Sequence, residues 1–129
     1  MKQQIAHLAL LVEDYDAAIE FYTKKLHFDL IEDTELSETK RWVLVAPKGS
    51  KECKLLLAKA VGDQKKAIGN QSGGRVFLFL NTDNFERDYT NLLLQNIKIF
   101  REPSIEEYGK VCVFEDLYGN LWDLIEKKS

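Results

Sequence analysis

The chain has 129 residues, 45% of them hydrophobic, which suits one domain with a real core. Its net charge is −3, with Lys and Arg interspersed among Asp and Glu; this argues against the basic stripe that a DNA- or RNA-binding surface needs. No apolar stretch approaches the ~18 residues of a membrane span, and Glu13, Asp14 and Asp16 follow the first apolar run too soon for a secretion signal. A cytoplasmic domain without nucleic-acid or membrane partners is therefore expected. Cys53 and Cys112 lie far apart in apolar surroundings and read as reduced core thiols.

In chain order, Ile5 to Val12 reads as a buried strand carrying one histidine, His7. Asp14 is placed to cap a helix whose apolar face holds Tyr15, Ala18, Ile19, Tyr22 and Leu26. His27 falls at the end of that helix, where its dipole favours a histidine. Strands are predicted at Phe28 to Thr34, Arg41 to Ala46 and Cys53 to Ala60, with a turn at Pro47-Lys48-Gly49-Ser50. Residues 61–74 are polar and carry Gly62, Gly69, Gly73 and Gly74, which marks a linker.

The pattern then starts again. Val76 to Leu80 is an apolar run, and Asp83 with Glu86 three residues on resembles a capping box. Phe85, Tyr89, Leu92 and Leu93 form the stripe of a second helix. Ile97 to Phe100 and Lys110 to Phe114 read as strands, and the turn "DLYGN" leads into a last strand from Leu121 to Glu126. "HLALLVEDYD" matches "FLFLNTDNFE" at a shift of 70 residues in order and spacing. The fold class expected is α+β: one domain over 1–129, with module 1 about 1–60 and module 2 about 75–129. Each module is a βαβββ unit. A single helix covers only one face of its sheet, so two units side by side are expected to form a curved mixed sheet with a half-open trough.

Strand parity sorts the lining of that trough. Leu8, Leu10 and Val12 are expected under the first helix, which turns His7 and Ala9 outward. Val76, Leu78 and Leu80 are expected under the second, leaving Phe77, Phe79 and Asn81 to face the trough with Asp123 and Ile125. Either Trp42 or Arg41 joins them, depending on register, and Glu107 and Tyr108 in "EEYGK" are within reach of a bound molecule. An aromatic lining with few polar groups suits a small, partly planar organic ligand. "NQSGGR" precedes a strand, not a helix, and reads as linker more than as a phosphate nest. Arg75 at its end either closes the trough's mouth or is solvated, and the second is favoured.

His7 within "HLALLVEDYDAAIEFYTKKLHF", the paired modules and "FEDLYGNLWDLIE" together resemble the vicinal oxygen chelate superfamily, which includes glyoxalases, bleomycin-resistance proteins and extradiol dioxygenases. In its metal-dependent members, the first and last strands of each module supply ligands to a divalent ion that chelates two substrate oxygens. The resemblance places His7 at the first-strand position and Asp123 at the last-strand acid. Phe77 and a residue near Leu55 stand at the other two positions, where no ligand is available. It therefore implies small-molecule binding with no strong metal site, His7 and Asp123 remaining weak metal candidates and alternative acid/base groups. Two other activities stay open: a metal-dependent lyase, isomerase or dioxygenase, and a drug-sequestering resistance protein. A homodimer is also implied.

Overall fold

The computed structural model describes residues 1–129. The chain divides into two compact units, Met1–Ile68 and Gly69–Ser129, and each is a βαβββ module with a four-stranded mixed sheet.

In the first unit β1 (His7–Val12) leads to α1 (Tyr15–Glu20), then β2 (Asp29–Glu35), β3 (Arg41–Ala46) and β4 (Lys54–Lys59). The sheet order is β1-β4-β3-β2, with β1 parallel to β4 and the other pairs antiparallel. Asp14 caps α1, its carboxylate accepting from the Ala17 amide at 2.8 Å. The helix continues as a π-helical turn, Phe21–Lys25. Phe21, a residue outside the regular helical stripe read from the sequence, is buried in the core with Tyr15, Ala18 and Tyr22. His27 then takes a left-handed φ of 61°, the conformation that ends many helices and costs a non-glycine residue some strain.

The second unit repeats the plan: β5 (Val76–Asn81), α2 (Phe85–Leu94), β6 (Ile99–Glu106), β7 (Gly109–Glu115) and β8 (Leu121–Lys127), in the order β5-β8-β7-β6. Asn84, not Asp83, caps α2, accepting from the Arg87 amide at 3.1 Å, while Asp83 pairs with the Arg87 guanidinium at 2.9 Å. The Glu126 carboxylate on β8 also accepts from the Phe85 amide at 2.7 Å, putting negative charge against the helix N-terminus. Phe85 and Leu92 are buried, whereas Leu93, expected on the same stripe, is exposed. Asn96 ends α2 with φ 58°, as His27 ends the first helical segment.

Register shows which face of each sheet is which. Leu10, Leu57 and Val43 lie side by side and are fully buried. In the second unit Leu80, Leu124 and Cys112 form the matching row, Leu124 and Cys112 being buried. These rows take the side of the helices, and the alternate residues form an open face on each sheet.

The turn before β8 is built around Asp116. Its carboxylate accepts from the Tyr118 and Asn120 amides, both at 2.9 Å, and from the Asn120 side-chain amide at 3.0 Å. Asp116 and Asn120 are the two buried polar residues of the chain. Gly119 has φ 101°, as the turn reading requires. Gly69 lies against the same turn. A Cβ at Gly69 would stand 2.0 Å from the Tyr118 carbonyl oxygen.

Candidate functional site

On the first unit's open face, His7 registers with Lys54, Ala9 with Leu56, and Leu11 with Ala58. Leu44 and Glu32 extend the middle row through β3 and β2. Trp42 belongs to this face too: its ring meets His7 edge-on, centroids 6.0 Å apart. Arg41 takes the opposite side. It stacks over Tyr15 at 5.2 Å and forms ion pairs with Asp33 at 2.7 Å and Asp16 at 2.9 Å. The choice left open between Trp42 and Arg41 is thus resolved for Trp42. His7 Nδ1 is buried with no hydrogen-bond partner.

The second unit's open face has one row crossing all four strands: Phe79 on β5, Asp123 on β8, Val113 on β7 and Arg101 on β6. Asp123 Oδ1 is buried and unpartnered. Desolvation holds the carboxyl above the ordinary aspartate range, and the nearby Arg101 charge partly offsets this. A cleft of about 450 Å³ opens beside the row, lined by Gly74, Arg75, Val76, Phe79, Phe100, Arg101 and Leu121. Phe79 is 68% exposed and Phe100 54% exposed, so two aromatic rings stand uncovered at this cleft.

Three irregularities shape it. Val76 registers with Leu121 and Leu78 with Trp122, which makes Phe77 an extra residue in a bulge of β5. Val76 therefore shares the open face and lines the cleft, contrary to the alternation that put it beneath the helix with Leu78 and Leu80. Phe77 itself has no partner in β8 and does not line the cleft; Asn81 registers with Ile125 on the open face and is exposed. A second lies between Ile99 and Arg101, where Phe100 is the extra residue, and it turns Arg101 into the row opposite Val113. A third lies between Arg101 and Ser104, around Pro103, past which β6 continues to Glu106. An edge strand tolerates a proline because its outer amides need no ladder partner.

Glu107 and Tyr108 form the two-residue turn between β6 and β7, where Glu106 faces Gly109. At ~3.3 Å per residue along β6, that turn is far from Arg101. Glu107 and Tyr108 are not among the residues lining the cleft, whereas Arg75 is exposed, as expected, and also borders it.

The Glyoxalase/Bleomycin resistance protein/Dioxygenase family matches residues 4–124. The chain belongs to this superfamily. A protein of Shewanella frigidimarina (strain NCIMB 400) is 60% identical over 128 residues, covering 98% of this chain and 95% of its own. YetH of Bacillus subtilis (strain 168) is 28% identical, covering 98% of this chain and all of its own (100%). Among solved structures, UcmS2 matches with TM-score 0.85 and 27% identity, covering 98% of this chain and 100% of its own. TnmS3, described as an antibiotic binding protein from Streptomyces sp. CB03234, matches with TM-score 0.79 and 25% identity over 98% of each chain.

Superfamily members that use a divalent ion take ligands from the first and last strand of each module. The caps at Asp14 and Asn84 align β1 with β5, pairing His7 with Phe77 and Ala9 with Phe79. The register then pairs Leu56 with Asp123, since Ala9 faces Leu56 and Phe79 faces Asp123. Leu56, one residue on from the expected Leu55, lies on the open face; Leu55 is buried on the helix side. Each unit thus offers one donor where the pattern asks for two, and Lys54 stands beside His7. Hydrocarbon side chains at Leu56 and Phe77 do not fit a resident divalent ion. No group of three or more His, Cys, Asp or Glu side chains comes together. No helix is long and apolar enough to cross a membrane.

Proposed function

We propose that the protein binds a small planar organic molecule on the open face of its second module and holds it without a resident metal. In this reading it is a sequestering or carrier protein, not a lyase, isomerase or dioxygenase. The observation that carries it is the pair of uncovered rings, Phe79 and Phe100, at a cleft of about 450 Å³. Large exposed aromatics cost solvation free energy unless something covers them, and a planar ring system stacks on them well. The cleft volume lies within the range usual for drug-sized ligands. Asp123 supplies a polar group inside the row, and His7 with Trp42 offers a second aromatic and polar patch on the first unit. The likeness to an antibiotic binding protein supports a binding role without fixing the ligand.

Isothermal titration of the purified protein with a panel of two- and three-ring aromatics, with elemental analysis of the same sample, tests this. Saturable binding that weakens in Phe79→Ser and Phe100→Ser is expected, with less than stoichiometric metal after dialysis. Binding indifferent to both substitutions would overturn the assignment of the site. Stoichiometric zinc, nickel, manganese or iron surviving dialysis would overturn the metal-free reading.

A further inference from the structure

We propose that the cleft selects organic anions, through Arg75 and Arg101; this rests on the binding role proposed above and names the class of ligand. The chain has four arginines. Two are committed to carboxylates: Arg41 to Asp16 and Asp33, and Arg87 to Asp83 and Asp88. The other two, Arg75 and Arg101, make no ion pair, and both line the cleft with the uncovered rings of Phe79 and Phe100. A guanidinium presents a flat fork of donors that matches a carboxylate in two parallel hydrogen bonds. The two arginines and two rings at one opening complement a planar body with an acidic substituent.

Of the acidic groups on the same sheet, Glu102 accepts from the Tyr89 hydroxyl at 3.3 Å and Glu106 lies beside the turn between β6 and β7. Glu115, on the open face, is engaged by Lys98 at 3.3 Å. Glu126 turns to the N-terminus of α2. Asp123 lies in the row between Phe79 and Arg101, and even when ionised it leaves the two cleft arginines one positive charge in excess.

The test uses three probes on one ring system: 2-naphthoate, neutral 2-naphthalenemethanol and 2-naphthylmethylammonium. Their affinities for the full chain are read by titration or amide chemical shifts at low salt. The anion is expected to bind tightest and the cation weakest, with the anion's advantage shrinking as salt rises. Arg101→Gln should weaken 2-naphthoate by roughly tenfold to a hundredfold, the range for a charge-assisted hydrogen bond, and leave the neutral alcohol nearly unchanged. Arg101→Lys should restore part of the loss, because charge returns without the fork. If the alcohol binds in a Phe79-dependent way while the anion binds no better, the charge selection is wrong and the binding role stands. Failure of all three probes to bind would overturn both.

Discussion

Replacing Asp123 by leucine should make the unliganded protein more stable while weakening binding. The carboxyl has one oxygen buried without a hydrogen bond, and an unsatisfied buried polar atom costs about 1–3 kcal/mol. Against this stands its attraction to Arg101, an exposed guanidinium, for which a screened surface pair suggests about 0–1 kcal/mol. The net gain expected is roughly 1–2 kcal/mol, a rise in melting temperature of about 3–8 °C for a domain of this size. Leucine is the replacement chosen because Leu56 holds the equivalent place in the first module. The gain should also depend on pH in a definite direction. Burial raises the folded-state pKa above its 3.8 reference, so the unfolded chain releases this proton more readily. Below 3.8 both states keep it and the pH-linked penalty vanishes; as pH climbs through the raised folded value the penalty develops in full. Thermal denaturation followed by circular dichroism, near pH 3.8 and at neutrality, reads both effects. A variant less stable than the parent at neutrality, or a gain that does not shrink on acidification, would refute the reasoning.

Gly69→Ala forces a Cβ to 2.0 Å from the Tyr118 carbonyl oxygen at a residue with φ 76°, so a loss of about 2 kcal/mol or more is expected in urea denaturation. Gly119→Val places a β-branched side chain at φ 101° and should cost about 1–3 kcal/mol; an unchanged melting temperature would contradict the turn geometry. Asp116→Ala removes the acceptor of three hydrogen bonds in a buried turn and should cost about 3 kcal/mol or more, whereas Asp116→Asn should retain part of it. Cys53 is half-buried but Cys112 is buried, its thiol pushed up to about 12 chiefly by desolvation; a disulfide reagent at neutral pH should therefore label Cys53 first and Cys112 only on unfolding.

The module plan was readable because helix-side positions carry bulky apolar residues at alternate places, as in Leu8, Leu10 and Val12. The cap at Asp14 and the turn at Asp116 to Asn120 were also local signals, each needing a particular residue type. The open faces were less legible. Phe77 in its bulge breaks the alternation of β5, so Val76 changes sides, and nothing in a run of apolar residues marks the extra one. Arg101 lies one residue past the strand predicted at Ile97 to Phe100, and the bulge at Phe100 that turns it to the open face has no mark in the sequence. Glu107 and Tyr108 form the turn between β6 and β7 and are not among the residues lining the cleft. Hydrophobic pattern reports what is covered by a helix; register between strands decides which side chains become neighbours.

Trp122 is 3% exposed beneath its helix, and Asp123 beside it in sequence faces the other way. Adjacent residues of one strand are therefore separable, one held by the core and the next turned to the open face. A lineage can rewrite every second residue of such a strand and try new ligands while the scaffold stays intact. Because the architecture is present twice, equivalent places can carry different residues, as His7 and Phe77 or Leu56 and Asp123 do here. The same geometry guides an engineer: a library restricted to open-face positions explores binding with few unfolded members, whereas one that includes their neighbours spends most of its diversity on proteins that do not fold.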